Sequence, residues 1–278
     1  MKKKHLFQMA PVINPRGSDT STILNLVRKN GVVIFEGFPT DPEMLLRAGC
    51  LLGTPQHRYV WNPLPAFSEP MKWVTDVRFK PTIKGDEAQL FTHRCGDLRL
   101  HTARASFKAK PRDTPRLFMM LMADPGSPSA TVGAGASRFS RLADAINCLK
   151  QTIDDERKVV EILRILKTTP ISTEDPYPHI PVTAPIMSGG SREVMRFRYW
   201  EHILDHARST PAFHALSQFD EALTKASFEY SLRKGDLVLI DNHRVAHGRR
   251  GFDGWLVDSG GNKILSSRLL YNLHVFID

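Results

Sequence analysis

The feature that most constrains this chain is the segment at residues 235–250, GDLVLIDNHRVAHGRR, where an apolar run is followed at once by polar and ionisable residues. The apolar run at residues 237–240 is entered by Gly-Asp, and this predicts a short strand buried on both faces. Polar groups at the end of such a strand are costly unless they have partners or a function. These residues are Asp241, Asn242, His243, Arg244, His247, Arg249 and Arg250. We therefore expect a functional site at the end of this strand.

Length and composition predict one sizeable domain in a chain of 278 residues. No apolar run approaches the roughly 20 residues that a membrane-spanning helix needs. The basic start, MKKKHLFQM, lacks the apolar core and cleavage site of a secretory signal. We expect a cytoplasmic protein without membrane association, with a flexible segment at residues 1–20 and a single domain at residues 21–278.

Charge and cysteine content narrow the classes of partner. The 38 Lys and Arg residues exceed the 29 Asp and Glu residues, which gives a formal net charge of +9 that favours an acidic small molecule. This charge is scattered and forms no basic block interleaved with aromatic residues, so nucleic-acid binding is not expected. Three cysteines without a CxxC pair predict free thiols and no zinc ribbon. The oligomeric state is not indicated by any motif.

The hydrophobic pattern predicts many short strands with helices between and outside them. Strand-like segments lie at residues 32–35, 72–77, 98–107, 117–122, 131–135, 194–200, 237–240 and 269–276. Helical periodicity covers residues 22–29, 41–52, 137–149, 154–166 and 212–228. The proline-rich stretch at 169–185 is predicted to be a lid or rim segment, and the glycine-rich stretch at 251–261 is predicted to be a mobile loop. This pattern favours a mainly β fold with flanking helices, of the double-stranded β-helix (jelly-roll) type.

Two histidines stand out by their context. His101 and His247 lie on separate strand-like segments 146 residues apart, so only the fold could bring them together. A single histidine is usually a hydrogen-bonded core or surface residue. The segments around these two, however, carry further polar residues where apolar ones would be expected.

Three segments resemble the metal-binding and co-substrate motifs of clavaminate-synthase-like and taurine-dioxygenase-like Fe(II)/2-oxoglutarate oxygenases. They are HTARASF at residues 101–107, DNHRVAHGR at 241–249 and SRLLYNLHV at 267–275. Weaker matches at residues 31–39, 51–58 and 115–132 follow the order of the same family, so the resemblance covers about residues 20–278. It implies a catalytic domain with Fe(II), 2-oxoglutarate and O2, and a small-molecule substrate.

The resemblance also implies roles for individual residues. His101 and His247 match the two imidazole ligands of the 2-His-1-carboxylate triad. Arg268 matches the arginine that binds the far carboxylate of 2-oxoglutarate, and Thr131 matches a threonine that bonds the same group. The family often has a second arginine four residues later, where this chain has Asn272, and the connection from His247 is longer than usual. Arg249 or Arg250 therefore remain alternatives for the clamp.

The position of the metal carboxylate is occupied by Ala103, which has no donor atom. In halogenases of this superfamily, Ala or Gly stands at this position, chloride or bromide occupies the freed site, and the substrate carbon receives halogen. The pattern His101-Thr102-Ala103 therefore favours halogenation of an unactivated C–H bond.

Other interpretations of Ala103 remain open. Water, or a carboxylate such as Asp97 or Glu201, would complete the metal shell of a hydroxylase or desaturase. Alternatively, the chain is a metal-free binding protein on the same fold, or the alanine is an engineered substitution.

The substrate is expected to be small, polar and amino-acid-like or anionic. Arg196 and Arg198 in the MRFRYW segment, with Arg104 beyond the metal motif, would bind a carboxylate or phosphate. The alternative is that these alternate arginines lie on a strand face that contacts solvent.

Overall fold

The computed structural model describes residues 12–13, 19–57, 66–81, 95–103, 115–127, 133–176, 179–188, 194–195 and 207–277. Its helices are α1 (Thr20–Asn30), α2 (Pro42–Leu52), α3 (Leu142–Thr152), α4 (Glu156–Thr168) and α5 (Pro211–Lys225), with a short 3-10 helix at Pro70–Lys72. Its strands are β1 (Val12–Ile13), β2 (Val32–Phe35), β3 (Thr54–Pro55), β4 (Thr75–Arg78), β5 (Leu98–His101), β6 (Leu117–Asp124), β7 (Ser137–Arg141), β8 (Ile171–Pro176), β9 (His179–Ala184), β10 (Met187–Ser188), β11 (Val194–Met195), β12 (Phe228–Tyr230), β13 (Leu237–Asp241), β14 (Val245–Arg249), β15 (Trp255–Val257), β16 (Lys263–Leu265) and β17 (Leu269–Phe276).

The larger sheet has the strand order β1-β2-β13-β6-β17-β3, with β4 also paired to β17. Its neighbouring strands are antiparallel except for β1 and β2. The two central strands, β6 and β13, are apolar runs that are buried almost throughout, as their sequence predicts.

The smaller sheet has the order β12-β7-β14-β5, and its buried side chains pack against those of the larger sheet. A cluster of buried side chains from both sheets fills the space between them, including Phe118 and Met120 from the larger sheet and Phe139 and Val245 from the smaller. These buried side chains are called the inner cluster below. A mainly β fold with helices is therefore confirmed.

Helices cover the outer faces of both sheets. Leu45 and Leu46 of α2 pack with Leu273 and Val275 on the outer face of the larger sheet, in what is called the outer cluster below. Helices α3, α4 and α5 pack together near Ala246 of the smaller sheet. Because Ala246 points outward, strand alternation directs His247 toward the inner cluster.

Residues 137–149 were expected to form one helix, and this prediction is wrong for the first five residues. Ser137–Arg141 is strand β7, and α3 begins at Leu142. Ser137 and Phe139 are buried on one face of the strand, but five residues are too few for the period of two to stand out before a helical pattern. The described part of the strand predicted at 131–135 is a turn in which Gly133 and Gly135 have positive φ.

Two predicted loops contain strands. Most of the proline-rich stretch at 169–185 is a hairpin of β8 and β9, which pair with each other, so prolines interrupt no central ladder. Part of the glycine-rich stretch at 251–261 is strand β15, which pairs with β16. The strand expected at 72–77 begins later, at Thr75.

Within the described residues, none of the helices has both the length and the apolar character that crossing a membrane requires.

Candidate active site

The fold brings His101 and His247 together on adjacent strands of the smaller sheet. They are directly paired in the register of β5 and β14. Their ring centroids are 4.5 Å apart, and both residues are almost fully buried. Two imidazoles in such contact are able to bind one metal ion.

Each ring is suited to act as a neutral ligand. Nδ1 of His101 lies 2.9 Å from the carbonyl oxygen of Arg99. Because a carbonyl only accepts, Nδ1 donates the proton and Nε2 carries the lone pair. Burial, reinforced by the neighbouring His101 and His274, holds the pKa of His247 well below its usual range. His247 is therefore neutral at physiological pH, which is the form that binds metals.

The backbone of Ala103 is held by the fully buried side chain of Asn242. The amide of Ala103 donates to Oδ1 of Asn242 at 2.7 Å, and Nδ2 of Asn242 donates to the Ala103 carbonyl at 2.9 Å. The same Nδ2 donates to the carbonyl of Pro115 at 3.0 Å. One carboxamide therefore ties the end of the His101 segment to the turn that precedes β14.

The methyl group of Ala103 lies in the inner cluster. No set of three or more His, Cys, Asp or Glu side chains in the described ranges is grouped to hold a metal. Asp97, one of the proposed substitute ligands, has a side chain that is 63% exposed and accepts from the amide of Gly251. Glu201 lies outside the described residues.

Two buried arginines lie on either side of one aromatic ring. The guanidinium of Arg268 is 5.0 Å from the ring centroid of Phe252, and that of Arg249 is 4.6 Å from the same centroid. Burial lowers the pKa of Arg268 to about 9, and the charge of Arg249 adds to this effect. The described ranges supply no carboxylate partner for Arg268, whose Nη2 donates to the carbonyl of Gly135 at 3.2 Å. An anion would therefore be stabilised here.

Glycine backbone approaches Arg268 closely. A Cβ on Gly126 would lie 3.2 Å from the Cβ of Arg268, and one on Gly135 would lie 3.2 Å from its Nε. Both glycines have positive φ, so a side chain would also be strained. Arg250, an alternative clamp, is instead exposed and donates to Glu229 at 2.6 Å.

Several predicted site residues lie outside the described residues. They are Thr131, Arg104, Arg196 and Arg198. Their proposed contacts with the co-substrate or substrate are therefore not tested by the structure.

Sequence reasoning missed two features of the site. One is the bonding of Asn242 to residue 103, although a buried amide after an apolar strand was a visible signal. The other is a column of rings in which Phe118 lies 4.6 Å from His247 and 4.8 Å from His274. The column depends on pairing between β6 and β17, which no local pattern reveals.

Two facing sheets that enclose an imidazole pair and buried guanidinium groups define a β protein with an internal polar site. The chain belongs to the family described as taurine catabolism dioxygenase TauD, TfdA family, whose model matches residues 8–266.

Solved structures share the fold at low sequence identity. The PvcB protein of Pseudomonas aeruginosa is 19% identical with a TM-score of 0.58, over 93% of this chain and 80% of that one. An asparagine oxygenase in complex with Fe(II), 3-hydroxyasparagine and succinate is 15% identical with a TM-score of 0.60, over 92% and 78%. A putative alpha-ketoglutarate-dependent taurine dioxygenase of Burkholderia xenovorans is 13% identical with a TM-score of 0.60, over 98% and 88%. No curated protein matches the sequence.

Proposed function

We propose that this protein is an Fe(II)- and 2-oxoglutarate-dependent oxidoreductase that functionalises an unactivated C–H bond of a small polar substrate. The observation that carries the proposal is the direct pairing of His101 with His247 inside the fold of this family. Residues 21–278 would form its single catalytic domain, with the two facing sheets as a double-stranded β-helix.

The residues present fit an iron site with two protein ligands. Both imidazoles are buried, and Nδ1 of His247 has no hydrogen-bond partner among the described residues. When bound, iron with 2-oxoglutarate and O2 supplies the oxidising power for the reaction. His101 would hold the metal through Nε2, because its Nδ1 is committed to the Arg99 carbonyl.

Arg268 would hold the far carboxylate of 2-oxoglutarate. Its buried guanidinium is positioned by Gly135 and Phe252, and a bidentate pair with a carboxylate would offset the cost of its burial. Arg249, on the other side of Phe252, would add positive potential. Thr131 would bond the same carboxylate, as the family resemblance implies.

We propose halogenation as the reaction outcome, because Ala103 supplies no carboxylate and its backbone is held by Asn242. Chloride or bromide would then bind at the third position. Hydroxylation or desaturation is the alternative, and a solved relative with bound 3-hydroxyasparagine favours considering hydroxylation of an amino acid. Arg104, Arg196 and Arg198 remain candidates for substrate contacts.

The test is an anaerobic titration of the protein with Fe(II) and 2-oxoglutarate, followed by visible absorption with and without chloride. A charge-transfer band is expected, and a band that shifts with chloride supports halogenation. A band that does not change when chloride is added favours hydroxylation or desaturation. Absence of any band contradicts the proposed enzyme and favours a metal-free binding protein.

Arg268→Leu is expected to weaken 2-oxoglutarate binding about 100-fold, because charge-assisted hydrogen bonds contribute about 1.5–3 kcal/mol each. Arg268→Lys keeps the charge but loses the bidentate geometry, so an intermediate loss is expected. Isothermal titration calorimetry of the Fe(II)-loaded protein under anaerobic conditions measures both.

The matched control is Arg250→Leu, which removes an exposed arginine that is paired with Glu229. Its affinity for 2-oxoglutarate should stay within about twofold of wild type. Equal losses in the Arg250 and Arg268 variants would show that general positive charge, and not the Arg268 site, binds the co-substrate.

A further inference from the structure

Strand β17 places polar side chains on the inner face of the larger sheet. Leu270 belongs to the inner cluster, whereas Leu273 belongs to the outer one. Because side chains alternate along a strand, Asn272 and His274 share the inner face with Leu270. Their direct partners on β6, Met120 and Phe118, also belong to the inner cluster.

Gln56 extends this polar row from the neighbouring strand. The pairing of Pro55 with Val275 continues by one step, since the amide of Gln56 donates to the carbonyl of His274 at 2.8 Å. Residues opposite each other in a sheet face the same side, so Gln56 lies on the inner face. It is the diagonal neighbour of Asn272, and such neighbours are roughly 7–8 Å apart.

The carboxamides of Gln56 and Asn272 share an unusual feature. Oε1 of Gln56 and Oδ1 of Asn272 are fully buried, and in the described part of the chain neither accepts a hydrogen bond. Buried acceptors without partners are rare because each lowers stability. Two of them on one inner face are suited to accept from a bound ligand that carries hydrogen-bond donors.

We propose that Gln56 and Asn272 form a substrate subsite for a nitrogen group that bears several N–H donors, such as an ammonium, a guanidinium or a carboxamide. The inference rests on the proposed function and identifies the substrate group that the inner face of the larger sheet binds. Two acceptor oxygens on one face match a nitrogen group with several N–H donors.

The subsite lies close to the proposed metal. Phe118 is the direct neighbour of His274 and contacts the ring of His247. One aromatic ring therefore separates this part of the inner face from the imidazole pair. Asn272 lies on β17, four residues after Arg268, so the proposed donor-binding group is separated along the chain from the anion-binding arginine. A substrate with an amino or amide group therefore suits the Gln56–Asn272 subsite better than a substrate with acidic groups alone.

The first test measures thermal stability without ligand. Asn272→Leu and Gln56→Met remove the unpartnered oxygens at similar size, so each should raise Tm, by about 2 °C or more. The matched control is Asn242→Leu, which loses three hydrogen bonds of a buried carboxamide and should lower Tm. A lower Tm for both Asn272→Leu and Gln56→Met would show that these residues are structural and would overturn the proposal.

The second test measures binding by anaerobic calorimetry in protein loaded with Fe(II) and 2-oxoglutarate. The probes are three pairs that differ by one donor group: L-asparagine and L-aspartate, L-lysine and L-norleucine, and L-norleucine and hexanoate. The donor-bearing member of at least one pair should bind tenfold or more tightly, and Asn272→Leu and Gln56→Met should each reduce that preference. Equal binding within all three pairs, or a preference that both variants keep, would overturn the proposal.

The visible band of the wild-type protein distinguishes the two failures. Without a band from Fe(II) and 2-oxoglutarate, the proposed function itself is wrong. If the band forms but no donor-bearing probe binds more tightly than its partner, the proposed function stands and the proposed Gln56–Asn272 subsite is wrong.

Discussion

His247→Ala is expected to lower kcat/KM by at least about a thousandfold, because a bound metal contributes several kcal/mol of transition-state stabilisation. The residue lies at the centre of the proposed site, paired with His101 and in ring contact with Phe118. Its loss leaves His101 as the one remaining imidazole of the pair. The charge-transfer band of Fe(II) with 2-oxoglutarate should disappear together with turnover. Steady-state kinetics and anaerobic absorption measure the two effects independently.

The matched control is His214→Ala, which replaces an exposed histidine on α5. It should keep both the band and turnover. Circular dichroism establishes that His247→Ala is folded, since removing a buried ring creates a cavity. A folded His247→Ala protein that retains the band and activity would contradict the proposed metal site.

Ala103→Asp is expected to change the reaction outcome from halogenated to hydroxylated product. Because Asn242 holds the main chain of residue 103, the new carboxylate should complete the triad and exclude halide. We expect at least about tenfold tighter Fe(II) binding and a band that no longer responds to chloride. Without metal, the buried carboxylate should lower Tm, and Fe(II) should restore it. Product analysis by mass spectrometry with and without chloride measures the outcome.

The control for size is Ala103→Asn, which has nearly the same shape but no negative charge. It should not bind Fe(II) as tightly as Ala103→Asp. If Ala103→Asp still gave halogenated product in wild-type amounts, the third position would not be the halide site. If wild type gave only hydroxylated product in chloride, halogenation itself would be wrong.

The central strands were predictable from sequence because they are apolar along their whole length. Residues 117–122 and 237–240 are buried on both faces, so local composition alone identifies them. Strand β7 was not predictable, because its alternating pattern is short and continues into a helix without a turn residue. The hairpin of β8 and β9 was hidden by prolines, which are usually incompatible with central strands but acceptable where two strands pair only with each other.

The candidate site was predictable where its residues form a local motif. His101, His247 and Ala103 were found from short segments, and the fold then placed the first two in contact. The acceptors of Gln56 and Asn272 were not found, because an unpartnered oxygen is a property of the packed structure. One signal was present, since Asn272 is a polar residue at an inner-face position of β17, between Leu270 and His274.

Asn242 holds the main chain of residue 103 through two hydrogen bonds. The main chain at this position is fixed by another residue, so the conformation of the segment does not depend on the side chain that residue 103 carries. Under the proposed function, a single amino-acid change there would alter the chemistry while the surrounding framework stays in place. The proposed exchange of reaction type would therefore need one point mutation and no rebuilding of the core.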